Sequence, residues 1–73
     1  MITLYSKSNC PNCVSAKNLL KLKNLEYVEI SLDNLEEKIK FVEKYPNVRT
    51  VPFLIDVDGS IIGSFVDLQK KLL

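Results

Sequence analysis

The two cysteines of the chain, Cys10 and Cys13, are separated by only two residues, and the 73-residue sequence contains no histidine. A structural zinc site usually takes four nitrogen or sulfur ligands, and this chain offers two. A disulfide across so short a loop would add only about 2 kcal/mol, so a disulfide-stapled mini-protein is not expected either. Without histidine, Ser-His and Cys-His nucleophilic catalysis of the usual kind are also excluded. The chain must fold around a small hydrophobic core, and the cysteine pair needs a chemical explanation.

The composition of the chain predicts one globular domain over residues 1–73. Apolar residues make up 47% and charged residues 26% of the chain, a balance that argues against disorder. The net charge of +1 gives no reason to expect a nucleic acid as partner. The longest apolar runs are too short to span a bilayer, so no membrane partner is expected. The first residues are typical of a strand, and we expect no signal peptide.

Strand and helix patterns alternate along the sequence. Short runs rich in β-branched and aromatic residues predict strands at 2–5, 26–30, 51–56 and 60–63. Apolar residues at helical spacing predict helices at 11–23, from 33 to the break at 46–47, and at 66–73. The order is therefore β-α-β-α-β-β-α. Since a β-α-β crossover is right-handed and joins parallel neighbours, this order predicts an α/β, thioredoxin-like fold with a four-stranded mixed sheet and helices on both faces.

The second helix carries a start signal and an apolar stripe. Asp33 and Glu36 have the spacing of a capping box, so the helix is predicted to begin at Asp33. Leu35, Ile39 and Val42 follow an i, i+4, i+7 pattern, which is typical of a helix face that packs on a core.

The cysteine pair lies at the predicted start of the first helix. Pro11 is favoured in a first helical turn, which places Cys10 at or next to the N-cap. Unpaired backbone N–H groups and the positive end of the helix dipole favour a thiolate there, and such positions lower cysteine pKa values from about 8.5 to between about 3.5 and 7.5. Lys7 adds positive charge nearby, and Cys13 should point inward as the less exposed thiol. The pair is therefore predicted to be a redox dithiol; the alternative, two inert buried cysteines, fits an exposed helix start less well.

Three segments of the sequence resemble glutaredoxins. Residues 7–13 (KSNCPNC) resemble the family's active-site segment, residues 49–52 (RTVP) its T-V-P segment, and residues 58–68 (DGSIIGSFVDL) its closing motif. The residue before Cys10 is Asn9 and not the tryptophan of thioredoxins, and the pair encloses Pro-Asn and not Gly-Pro. Both differences favour glutaredoxin over thioredoxin.

The resemblance implies a catalytic site of three residues. Cys10 would be the nucleophile, Cys13 the resolving thiol, and Pro52 a cis proline that faces the dithiol. The reaction would be thiol–disulfide exchange, with glutathione as cosubstrate and with neither a metal nor a tightly bound prosthetic group. In the alternative interpretation, Pro52 is an ordinary proline of an edge strand.

The resemblance also implies a glutathione site. Lys7 and Arg49 would face the glycyl carboxylate, Val51 would pair its backbone with the peptide, and Asp67 would hold the γ-glutamyl ammonium. Thr50, in the same segment, is assigned to this site as well. The alternatives are that both basic residues are solvated charges, that Asp67 only complements a helix dipole, and that Thr50 only fills a strand.

Three departures from the family pattern leave open which molecule reduces the oxidised cysteine pair. Asn12 stands where the family has an aromatic residue, Ser64 replaces the second glycine of the closing motif, and Val66 replaces its first acid. A thioredoxin-like electron donor, recycled by a flavoprotein reductase and serving ribonucleotide reductase, is therefore the alternative; an iron–sulfur-binding dimer is disfavoured by Pro11. The expected partners are glutathione and disulfide-containing or glutathionylated proteins. The expected state is a monomer in a reducing cytoplasm.

Overall fold

The computed structural model describes all residues from 1 to 73, and the order of elements is the predicted one. The elements are β1 (Ile2–Ser6), α1 (Pro11–Leu22), β2 (Tyr27–Ser31), α2 (Leu35–Lys44), β3 (Phe53–Ile55), β4 (Ile61–Gly63) and α3 (Phe65–Leu72). The four strands form one sheet in the order β2-β1-β3-β4. β1 runs parallel to β2 and antiparallel to β3, and β3 runs antiparallel to β4. The predicted mixed sheet is confirmed. None of the three helices has the length and apolar character needed to cross a bilayer.

The main core lies between the sheet and the pair of helices α1 and α3. Side chains alternate across a strand, so one set of β1 residues faces these helices while the other set faces α2. The buried members of this core are Ile2, Leu4, Ala16, Leu20, Leu54 and Leu68. Since α1 contributes to this core, its cysteine-bearing start is fixed against the sheet.

The opposite face of the sheet carries an aromatic cluster that holds α2. Phe41 and Phe53 are buried there, with ring centroids 5.6 Å apart, and the Tyr5 ring lies 4.7 Å from that of Phe41. Tyr45 completes the cluster, 5.0 Å from Phe53. Rings at these separations add stabilisation beyond the area they bury.

The predicted start of α2 at Asp33 is wrong, because the helix begins two residues later, at Leu35. Asn34 is the N-cap: its backbone is extended and its side chain accepts a hydrogen bond from the Glu37 N–H at 3.1 Å. The Asp33 carboxylate instead accepts the Ser8 N–H at 3.0 Å, which ties the end of β2 to the loop before α1. The Asn34 side chain thus takes the capping role predicted for Asp33.

The predicted core face of α2 is also wrong. Leu35, Ile39 and Val42 are 69%, 50% and 51% exposed, whereas Phe41 is buried. The side of α2 that carries Phe41 packs on the aromatic cluster. The stripe of Leu35, Ile39 and Val42 therefore forms the outer face of the helix.

β3 is shorter than the predicted strand at 51–56. Pro52 has no N–H to give to the ladder, so pairing begins at Phe53. At the other end, the Asp56 side chain accepts the Val57 N–H at 2.7 Å and starts the turn to β4.

Candidate active site

The chain between β1 and α1 turns sharply at Asn9, which brings Cys10 to the helix start. Asn9 has φ 56°, in the left-handed region that asparagine tolerates better than most residues. Cys10 is then extended, with φ −118° and ψ 98°, and is the N-cap of α1. Pro11 occupies the first helical position, as its fixed φ and missing N–H favour.

The Cys10 sulfur interacts with the first turn of α1. Its Sγ accepts a hydrogen bond from the Cys13 N–H at 3.2 Å, and its thiol donates a long contact to the Val51 carbonyl at 3.8 Å. Loss of the Cys10 proton would remove the second contact and strengthen the first, because an N–H donor favours a charged acceptor. Both cysteines are free thiols. Cys10 is 9% exposed and Cys13 2%, so Cys10 is more covered than an exposed helix start suggests, and Cys13 is the less exposed thiol, as expected.

Cys13 is set to remain protonated while Cys10 reacts. Burial, followed by the hydrogen bond with the Cys10 side chain, raises the pKa of Cys13 from 9.0 to about 11. The backbone N–H of Lys7 and the ammonium of Lys17 act in the opposite direction and lower that pKa. The two thiols therefore have different environments, which suits a sequence of two different steps.

An open cleft of about 620 Å³ gives access to the pair. Cys10, Pro11 and Cys13 line its wall, and Lys7 and Lys17 add positive charge at its rim. The two lysines give the cleft a positive charge, which attracts negatively charged molecules.

Residues 49–52 contact the dithiol at the end of the segment that leads into β3. The Val51–Pro52 peptide bond is cis, as the resemblance implied, and Pro52 is buried. The carbonyl of Val51 reaches Cys10. Arg49 and Thr50 are exposed, and none of residues 49–52 lines the cleft. The structure thus brings the Val51 carbonyl to the dithiol and leaves Arg49, Thr50 and Pro52 outside the cleft wall.

The comparisons with known proteins agree with this geometry. The sequence model of the glutaredoxin family matches residues 2–62. The chain belongs to the glutaredoxin family. It is 42% identical over 69 residues to glutaredoxin 1 of Rickettsia prowazekii, which covers 92% of this chain and 72% of that protein. The crystal structure of glutaredoxin 1 from Francisella tularensis superposes with a TM-score of 0.81 at 26% identity, covering 97% of this chain and 90% of that one. The crystal structure of a thioredoxin-like protein superposes with a TM-score of 0.79 at 25% identity, and the superposition covers the full length of both chains.

This glutaredoxin is therefore a thiol–disulfide oxidoreductase of the thioredoxin-like superfamily. Its C-x-x-C pair lies at the start of the helix that follows the first strand. Thiol–disulfide exchange needs an accessible attacking thiolate, and this position supplies an N–H donor and an open approach for one.

Asp67 lies in the glutaredoxin's third helix, outside the cleft wall. Ser64 caps α3, and Asp67 closes a capping box: its Oδ2 accepts the Ser64 N–H at 2.9 Å and the Ser64 hydroxyl at 3.0 Å. These bonds, the backbone one first, hold the pKa of Asp67 below its usual value. The carboxylate is thus ionised and held in one orientation by the cap of α3.

Two charged residues near the site are absent from the sequence prediction. Lys17 lines the cleft, and its position one helical turn after Cys13 is a signal that sequence reasoning could have used. Glu29, which pairs with Lys17 at 3.1 Å, comes from β2 and carries no local signal. Its contact depends on how β2 is placed beside β1.

Proposed function

We propose that this protein is a dithiol glutaredoxin that reduces protein disulfides and glutathione mixed disulfides, with glutathione as cosubstrate. The observation that carries the proposal is the Cys10 sulfur at the N-cap of α1, which accepts the Cys13 N–H and opens to the cleft. Membership of the family supports the same chemistry.

The reaction proceeds in two exchanges. The Cys10 thiolate attacks one sulfur of a substrate disulfide; the substrate S–S bond breaks, a mixed disulfide forms on Cys10, and the leaving thiolate takes a proton from water. Cys13 then loses its proton and attacks the Cys10 sulfur, which expels the second substrate thiolate. Two electrons pass to the substrate, and the protein is left with a Cys10–Cys13 disulfide that two glutathione molecules reduce.

A glutathionylated substrate needs only Cys10. The glutathione moiety transfers to Cys10 while the protein thiol leaves, and a second glutathione then attacks the mixed disulfide and departs as glutathione disulfide. Cys13 takes no part in this route. The two routes therefore separate the roles of the two cysteines.

The proposed glutathione site extends from the dithiol in two directions. On one side, the backbone of Val51, next to the cis Pro52, would pair with the extended peptide, with Lys7 and Arg49 facing the glycyl carboxylate. Thr50 belongs to the same exposed segment. On the other side, the Asp67 carboxylate would bind the γ-glutamyl ammonium. The contact between Cys10 and the Val51 carbonyl supports the first half of this arrangement, and the fixed carboxylate supports the second.

The proposed partners and location follow from the chemistry. A dithiol that works in its reduced form suits a reducing cytoplasm, and glutathione and disulfide-containing or glutathionylated proteins, ribonucleotide reductase among them, are the proposed partners. The cleft opens on the surface of a single chain, which suits a monomeric carrier with no tightly bound cofactor.

The deciding experiment is turnover of a glutathione mixed disulfide in the presence of glutathione and glutathione reductase. We expect activity for the wild type and for Cys13→Ser, and none for Cys10→Ser. On a protein disulfide, we expect both substitutions to abolish turnover. Full activity of Cys10→Ser on either substrate would refute the assignment of the nucleophile.

The same assay tests the thioredoxin-like alternative. Val66, 55% exposed where the family has an acid, and Ser64, whose hydroxyl is bonded to Asp67, leave fewer polar groups for glutathione than the family pattern provides. Turnover with thioredoxin reductase and NADPH but not with glutathione would favour that alternative. Anaerobic purification without visible absorbance would remove the iron–sulfur alternative.

A further inference from the structure

The resolving thiol lies in surroundings that oppose its own step. Cys13 must become a thiolate before it attacks the mixed disulfide on Cys10, yet it is 2% exposed and burial raises its pKa to about 11. Near neutral pH only a small fraction of such a thiol is ionised. A nearby positive charge that stabilises the thiolate therefore increases the rate of this step, although by less than the gain in thiolate, because nucleophilicity falls with the pKa.

Lys17 is placed to supply that charge. It follows Cys13 by four residues on α1, so the two side chains lie on the same face of the helix, and both line the cleft. The groups that act on Cys13 are the Cys10 side chain, the backbone N–H of Lys7 and the Lys17 ammonium. Lys17 is the cationic side chain among them.

The ammonium is held by a chain of contacts that ends in the sheet. Lys17 Nζ lies 3.1 Å from Glu29 Oε2, and the same oxygen accepts the hydroxyl of Ser6 at 2.7 Å. Ser6, the last residue of β1, is 2% exposed and therefore fixed in the fold. The Ser6 and Lys17 contacts together, in that order, hold the pKa of Glu29 below its usual value, so the carboxylate is charged. The other groups that face this pair are Lys21, beside Glu29, and Tyr27, beside Lys17.

We propose that Ser6 and Glu29 position the Lys17 ammonium beside Cys13, where its charge stabilises the thiolate that carries out the resolving step. The inference rests on the proposed function, because it concerns the second of its two exchanges. In that exchange Cys13 gives its proton to solvent, the Cys13–Cys10 S–S bond forms, the bond from Cys10 to the substrate sulfur breaks, and the substrate leaves as a thiolate that takes a proton from water. Lys17 is neither acid nor base here; its charge remains unchanged.

The two exchanges can be watched separately with dithiodipyridine, an uncharged disulfide whose released thione absorbs light. Attack by Cys10 releases one equivalent, and attack by Cys13 on the resulting mixed disulfide releases the second. Cys13→Ser should stop after the first equivalent. Because the reagent is neutral, a change of charge at the cleft does not alter its attraction to the protein.

We expect Lys17→Met to slow the second phase about threefold, the size of effect for a partly exposed charge at water-like dielectric, and to leave the first phase within about twofold. Lys17→Arg should restore the second phase. Glu29→Ala should slow it as well, because the ammonium loses its anchor. Lys23→Met is the matched control: it removes the same charge at the C-cap of α1, outside the cleft, and should leave both phases unchanged.

Salt dependence distinguishes an electrostatic role from a structural one. If the Lys17 charge acts on the Cys13 thiolate, the difference between wild type and Lys17→Met shrinks as added salt screens the charge. A ratio that is the same at low and high salt, or a second phase of Lys17→Met equal to that of the Lys23→Met control, would overturn the inference; a faster Glu29→Ala would overturn the anchoring role. Absence of the first phase in the wild type would instead refute the proposed function, and this inference with it.

Discussion

Replacing Gly63 by alanine should destabilise the protein through the cap of α3. Gly63 has φ 111°, and a Cβ there would contact the Asp67 carboxylate, lying 3.0 Å from its Cγ and 3.3 Å from its Cβ. The oxygen it meets first, Oδ2, is the atom that accepts both hydrogen bonds from Ser64. The carboxylate must therefore move and the capping box must open. Gly59 is a matched control: its φ is 87°, and a Cβ added there would meet open space out to 4 Å.

The two glycines separate backbone strain from loss of the cap. A non-glycine residue at positive φ costs about 1–2 kcal/mol, which applies to both substitutions. Loss of an N-cap interaction adds about 1 kcal/mol, which applies to Gly63→Ala alone. Urea unfolding followed by circular dichroism should therefore show Gly63→Ala less stable than Gly59→Ala by about 1 kcal/mol. In an Asp67→Ala background the gap should close. Equal losses for the two substitutions in the wild-type background would refute the reasoning.

Three further predictions concern packing and pH. Leu20→Ala, in the main core, should cost about 3 kcal/mol in urea unfolding, whereas Ile39→Ala, on the outer face of α2, should cost less than about 0.5 kcal/mol; equal losses would contradict the orientation of α2. The pKa of Asp67 is lowered in the folded protein, so its contribution to stability is present above the usual carboxyl pKa and is lost as the pH falls through the pKa of the folded state. On acidification, the urea midpoint of Asp67→Asn should therefore fall less than that of the wild type. The pKa of Cys13 is raised from 9.0 to about 11, so its contribution to stability is complete below pH 9 and is lost as the pH rises toward 11. In a variant whose only thiol is Cys13, the urea midpoint should fall over that range. Replacing this last thiol by serine should remove the fall.

The sequence predicts the arrangement of elements because each signal is local. β-branched and aromatic runs mark the strands, and Pro11 marks the first turn of α1. Asn24, which directly follows the predicted helix at 11–23, has φ 56° and gives its N–H to the Lys21 carbonyl at 3.0 Å just beyond the end of α1. The position of Cys10 at the N-cap follows from these local signals, and so do the different exposures of the two thiols.

The orientation of α2 depends on contacts that no local pattern carries. The helix has apolar residues on two sides, a stripe that includes Ile39 and a second side with Phe41. Tyr5 and Phe53, from two other strands, select the second side because large rings fill the space over the sheet. For the same reason Asp33 could not be recognised as a partner of Ser8.

The candidate site also has one part that the sequence predicts and one part that depends on long-range contacts. Cys10 and Cys13 are recognisable from spacing, whereas the anchor of Lys17 is formed by Glu29 and Ser6, which become neighbours only when β1 and β2 pair in parallel. Long-range charge pairs of this kind depend on strand register, which the sequence does not state.

The central claim is that Cys10, at the start of α1, is the reactive thiol. The most direct measurement is alkylation of the reduced wild-type protein with less than one equivalent of iodoacetamide near neutral pH, followed by peptide mass spectrometry. We predict that Cys10 is labelled at least about tenfold more than Cys13, because the Cys10 sulfur accepts a helix N–H while Cys13 is the less exposed thiol and burial raises its pKa to about 11. Equal labelling of the two cysteines, or preferential labelling of Cys13, would contradict the account.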